Sequence, residues 1–206
     1  MRSTDRIPVP EMQEHCHFTP DSTASLAASR FCQSMLSLTV RLIFLIFPPT
    51  AGANRSLCLF CRNAGSFVLY DVTKDQWQIY NEKLSTRRVS PDSTFKIYSG
   101  LFALEEGLIA PESSGREWNG TAYPFESWNQ DQTLATAMQN SVNWYFQDLD
   151  QQMGISALYS YYRQVSYGNC DLSSGTDQYW AEASLKISPA EQVLLLSGLL
   201  QNRWGI

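Results

Sequence analysis

The chain has 206 residues, enough for one domain with a real core, and its 44% hydrophobic and 13% aromatic content excludes a disordered polymer. Fifteen basic against twenty acidic residues give a formal net charge of -5, so the electrostatic footprint of a nucleic-acid binder is missing and no nucleic-acid partner is expected. Five cysteines, an odd number, exclude a tidy disulfide framework.

Residues 1–64 show no sustained helical or strand period. Their most apolar run, Leu42 to Phe47, is preceded by Arg41 and stopped by Pro48 and Pro49. It is shorter than the roughly 20 apolar residues of a bilayer span. With Ala51-Gly52-Ala53 behind it the run imitates a signal peptide, although a cleavage site so far from Met1 is unusual. Cys58-Leu59-Phe60-Cys61 has the C-x-x-C spacing of zinc and redox sites, and His15-Cys16-His17 is a second cluster. Neither has a matching ligand pair, so both read as coincidence and no metal is expected. The segment stays unassigned, either leader-like or spurious.

From Gly65 the pattern changes. Phe67 to Tyr70 and Trp77 to Tyr80 flank a polar turn and predict an antiparallel hairpin. Pro91-Asp92 opens a helix carrying Ile97, Tyr98, Leu101, Phe102, Leu104 and Leu108, with Gly107 and Pro111 as its stop. An aromatic-rich irregular stretch, 112–130, follows. Leu134, Met138 and Val142 predict a helix starting near Asp131, and Tyr145, Phe146 and Leu149 another that ends near Gly154. Ile155 to Arg163 reads as one more short helix, Tyr167-Gly168-Asn169 as a turn, and Pro189 as the opening of a last helix.

Ser93-Thr94-Phe95-Lys96 has the form S-x-x-K at a helix start. That spacing sets a hydroxyl and an amine one turn apart on one face, beside the orphan N–H groups of the helix end. An apolar setting lowers a lysine pKa, so Lys96 would accept the proton of Ser93. Alone the motif is weak, because a capping serine with a solvated lysine behind it is the commoner outcome. Two companions follow in order, Ser141-Val142-Asn143 and Tyr167-Gly168-Asn169.

These motifs and their surroundings resemble the penicillin-binding sensor domain of the β-lactam sensor-transducers that control staphylococcal-type penicillinase and methicillin resistance. They are similar, slightly less closely, to the class D serine β-lactamases. The resemblance runs from Gly65-Ser66-Phe67-Val68 through Ser90-Pro91-Asp92-Ser93 and Thr136 to Phe146, and on to Tyr179-Trp180 and Ser184 to Ser188. It implies the serine β-lactamase and penicillin-binding transpeptidase-like fold, an α/β (α+β) sandwich with an all-helical subdomain.

The resemblance also implies roles. Ser93 is the acylated nucleophile, Lys96 the base, carboxylated by carbon dioxide, and Ser141 the proton relay to the leaving lactam nitrogen. Trp180 matches a tryptophan that hydrogen-bonds the carboxylated lysine, and Tyr167, Gly168 and Asn169 support the site. Asn143 matches the sensors, where hydrolytic class D enzymes usually carry Val; in sensors Asn goes with a persisting acyl-protein. The expected ligand is a β-lactam, and the parent family is extracytoplasmic at the bacterial membrane, signalling to a membrane protease module not recognisable here.

The family's K-[ST]-G strand is not found after Ser188. Residues 65–206 are therefore expected to hold the N-terminal two-thirds of the domain, without its later strands and terminal helix. The leading reading is a β-lactam sensor domain; the alternatives are a hydrolytic class D β-lactamase fragment or an inert, truncated relic.

Overall fold

The computed structural model describes residues 65–205. The apolar run, the C-x-x-C pair and the His15-Cys16-His17 cluster lie outside the described residues. β1 (Phe67–Asp71) and β2 (Gln76–Tyr80) pair antiparallel, with Phe67 opposite Tyr80 and Tyr70 opposite Trp77. Asp71 builds the turn by accepting from Thr73 N and Lys74 N, both at 3.1 Å. Tyr70 stacks on Trp77 across the strands at 4.4 Å. Among the described residues this hairpin is the whole sheet.

A short helix that the sequence pattern did not announce, α1 (Glu82–Ser85), follows at once. Asn81 starts it in a left-handed conformation, φ 58°, its side chain accepting from Leu84 N. Val89 then pairs with Ile187 in an isolated antiparallel bridge, which lays the approach to Ser93 beside the approach to the last helix. Arg88 reinforces this junction through an ion pair with Glu191.

α2 (Phe95–Glu105) is the central helix, and Gly107, at φ 69°, lies just past its end as expected. It packs on α4 (Asn143–Gln164): Phe95 meets Phe146 edge-on at 6.3 Å and Phe102 meets Tyr162 at 5.2 Å. Gly100 leaves room for Leu134, since a Cβ there would stand 3.2 Å from its methyl, whereas the 3.6 Å to the Phe146 ring is ordinary contact. α4 is broken at Gly154 (φ 78°, ψ 158°), so the two helices predicted on either side of that glycine are both present.

α3 (Leu134–Gln139) is shorter than the pattern suggested. Thr133 and Thr136 form its capping box, and the helix stops before Ser141, whose φ of 54° cannot continue it. Val142 is fully buried as expected, but as the link into α4 and not as a third helical position. α5 (Pro189–Leu200) is capped by Ser188 and Glu191 and packs on β1. Among the described residues no helix is long and apolar enough to cross a membrane.

Candidate active site

Ser93 does not sit in the α-helix proper. It occupies a single 3-10 turn, Asp92–Thr94, that feeds α2. Hydrogen bonds hold this turn: Thr94 Oγ1 and Thr94 N donate to Pro91 O at 2.6 and 3.1 Å, and Asp92 N donates to the Trp180 carbonyl at 3.2 Å. Asp92 takes a left-handed φ of 46°. The result leaves Ser93 exposed at the head of α2 while Lys96, one turn on, is 1% exposed. Lys96 Nζ donates to Ser93 Oγ at 3.1 Å.

Ser141 reaches the same oxygen from the other side, its hydroxyl donating to Ser93 Oγ at 3.0 Å. The left-handed turn at Ser141 makes this possible, because a continued α3 would carry the side chain away. Val142 N donates to Ala137 O at 2.8 Å to close the turn. Trp128 braces it from outside: its indole N–H donates to Asn140 O at 3.0 Å, while its own carbonyl accepts from the Trp144 indole at 2.8 Å. Sequence reasoning missed Trp128; the density of aromatics in 112–130 was the available signal. Asn143 is the first residue of α4, half-buried and two positions from Ser141.

The environment of Lys96 is apolar. Its Nζ lies 5.1 Å from the Phe95 ring centre and 5.3 Å from that of Trp180, and these two rings stack on each other at 4.3 Å. Burial pushes the lysine down from 10.5 to about 7, with the nearby Asp92 carboxylate opposing. At neutral pH a large fraction of Lys96 is thus a free amine within hydrogen-bond reach of the Ser93 hydroxyl. The Trp180 indole N–H is buried with no hydrogen-bond partner among the described residues.

Tyr167, Gly168 and Asn169 act at one remove. Tyr167 is fully buried against Tyr98, and its hydroxyl accepts from Gln192 Nε2 at 3.3 Å. Gln192 also donates to Thr94 Oγ1 at 2.6 Å, so α5 reaches the turn that holds Ser93. Gly168, at φ 50°, brings the backbone so close to Lys186 that a Cβ would fall 1.9 Å from its carbonyl oxygen. Asn169 clasps the same segment, its Oδ1 accepting from Lys186 N at 2.8 Å and its Nδ2 donating to Ser184 O at 2.8 Å. Ser93, Lys96, Ser141 and Trp180 therefore converge, whereas Gly168 and Asn169 bond the 184–187 segment and do not touch them.

Residues 65–203 match the penicillin-binding protein transpeptidase domain. The regulatory protein BlaR1 of Staphylococcus aureus is 46% identical over 143 residues, covering 69% of this chain and 24% of the relative. The solved C-terminal domain of the Bacillus licheniformis BlaR penicillin-receptor superposes with a TM-score of 0.67 at 45% identity, covering 68% of this chain and 57% of that one. The class D β-lactamase BAT-2 gives 0.66 at 40% identity, covering 68% and 59%. The chain thus spans about a quarter of the curated sensor and under two-thirds of either solved domain. The fold is the transpeptidase and class D β-lactamase-like α+β fold, and the chain belongs to the penicillin-binding protein transpeptidase domain family.

Proposed function

We propose that residues 65–206 are a β-lactam sensor domain that records the antibiotic as an acyl group on Ser93. One observation carries this reading: a buried lysine with a pKa near 7 and a second serine both meet Ser93 Oγ, at 3.1 and 3.0 Å. The neutral Lys96 amine takes the Ser93 proton as Oγ attacks the lactam carbonyl carbon. The carbonyl–nitrogen bond then breaks, and the proton that Lys96 took up passes by way of Ser141 to the departing nitrogen. The positive dipole end of α2, beside Ser93, favours the developing negative charge.

Carbon dioxide fits as a modifier of Lys96, because a neutral amine is needed to take it up and the unpartnered Trp180 N–H would meet the carboxylate formed. Such a group would supply a carboxylate base in place of the amine. Phe95 and Trp180 keep water from that position. Asn143 and the likeness to BlaR1 favour a lasting acyl-protein over turnover, an adduct that would signal to a membrane protease module as the resemblance implies.

A second reading, a hydrolytic class D β-lactamase, is favoured by the equal structural likeness to BAT-2. Intact mass after incubation with benzylpenicillin separates them. A stable adduct absent from Ser93→Ala is the expected result. Turnover without accumulation would favour the hydrolase, and neither adduct nor turnover would mark a relic.

A further inference from the structure

Among the described residues two charged side chains are buried, Lys96 on α2 and Asp150 on α4. The mechanism uses the first and ignores the second. Asp150 is fully buried and makes no ion pair among the described residues. It is held by hydroxyls instead: Ser99 Oγ donates to Oδ1 at 2.6 Å and Tyr179 OH donates to Oδ2 at 2.8 Å. Because the Tyr179 proton points at Asp150, the 3.0 Å contact between the Tyr162 and Tyr179 hydroxyls has Tyr162 as donor. A carboxyl at such a position is costly unless it is fully bonded, and an apolar residue would pack the same space more simply.

Both partners lead back to Lys96. Ser99 lies one turn after Lys96 on α2. Tyr179 precedes Trp180, and the two rings grip Phe95 from different sides, Tyr179 edge-on at 6.0 Å and Trp180 flat at 4.3 Å. The loop that carries them has no ladder of its own; α4 ties it through Asp150 and Tyr162 at Tyr179 and through Gln147 and Gln151 at Asp177, and of these side chains Asp150 also accepts from α2, at Ser99. The carboxylate whose charge reaches Lys96 is Asp92 and not Asp150, so a direct electrostatic role for Asp150 is not the explanation.

We propose that Asp150 is a positioning residue for the lysine base, tethering the Tyr179-Trp180 loop and the second turn of α2 so that the indole seals Lys96 from water. The role rests on Ser93 and Lys96 being nucleophile and base. Loosening the tether admits water, relieves the desolvation of Lys96 and returns it toward an ordinary lysine, leaving less free amine at neutral pH.

The test reads Lys96 itself, without any β-lactam. The chain has four lysines, Lys74, Lys83, Lys96 and Lys186, so carbon-13-labelled lysine in the full chain gives a resolvable NMR titration. Lys96 is assigned by its loss in Lys96→Met, and the buffer is kept free of carbon dioxide. In Asp150→Asn, whose amide cannot accept from both hydroxyls, the Lys96 midpoint should rise by about one unit or more, with Lys74 and Lys83 unmoved. Tyr179→Phe, which removes the hydroxyl bonded to both Asp150 and Tyr162 and leaves the Ser99 contact, should do the same and decides the matter if Asp150→Asn does not fold. A folded Tyr179→Phe chain with the wild-type Lys96 midpoint would overturn the proposal. Benzylpenicillin labelling supplies a second readout: about a tenfold lower acylation rate constant at neutral pH with initial binding unchanged. A wild-type chain that is never labelled would refute the sensor function, while the Lys96 titration would still decide the role of Asp150.

Discussion

Lys96 is a poor residue for stability and a good one for chemistry. A lysine 1% exposed beside the stacked Phe95 and Trp180 rings is destabilising, and the ring contacts, the Asp92 charge and one hydrogen bond to a serine hydroxyl offset that cost only in part. Lys96→Met should therefore raise the thermal midpoint while lowering the acylation rate about 10²–10⁴-fold, the usual loss on removing a positioned base. Differential scanning fluorimetry and penicillin labelling on the same preparation check both halves, and a lowered midpoint would contradict the burial argument. Asn143 tests the other half of the sensor reading. Asn143→Val should shorten the lifetime of the Ser93 adduct, followed by mass spectrometry after removal of free penicillin, because the polar side chain that distinguishes the sensors is gone.

Several elements are held in place by backbone conformations that an L side chain adopts reluctantly. Gly168 is the most demanding, because a positive φ coincides with contact against the Lys186 carbonyl. Gly168→Ala should cost about 3 kcal/mol or more, combining left-handed strain with a backbone clash that has no flexible partner to yield. Gly107 has φ 69° but open space around its Cβ, so Gly107→Ala should cost about 1–2 kcal/mol from conformation alone. Urea midpoints of the two variants should rank in that order. Ser141 is the functional counterpart: it accepts the strained φ because the turn aims its hydroxyl at Ser93.

The two buried charged groups give the molecule an unusual stability profile with pH. Burial pushes Asp150 up to about 7, against the donated hydrogen bonds of Ser99 and Tyr179, and pushes Lys96 down to about 7. Between about pH 4 and pH 7 the native chain holds a proton on Asp150 that the unfolded chain has lost, so stability falls as pH rises through that window. Between about pH 7 and pH 10.5 the unfolded chain holds a proton on Lys96 that the native chain has lost, so stability rises with pH. Unfolding free energies across the range should pass through a minimum near neutrality. Asp150→Asn should flatten the acid limb and Lys96→Met the alkaline limb, and a profile unaltered by both variants would show that neither group is desolvated as described.

The hairpin, α2, the glycine break in α4 and the Pro189 helix were legible in the chain because each is specified by neighbours in sequence: a turn, a cap, a periodic stripe, a stop. S-x-x-K was legible for the same reason, since helical spacing alone sets Lys96 beside Ser93. The motif order beyond it pointed to Ser141 by resemblance, but not to the left-handed turn that cuts α3 short, because a helical stripe through Val142 satisfies the local pattern equally well. What favours the turn is a hydrogen bond between Ser141 and Ser93, 48 residues apart, together with the Trp128 brace. Asp150 was illegible altogether. A carboxylate among Leu149 and its neighbours reads as one polar position on a helix until Ser99 and Tyr179 arrive from other elements, 51 and 29 residues away, to bond it. Local chain chemistry selects the elements, whereas the pKa of Lys96 and the sealing of its pocket depend on groups that only packing brings within reach.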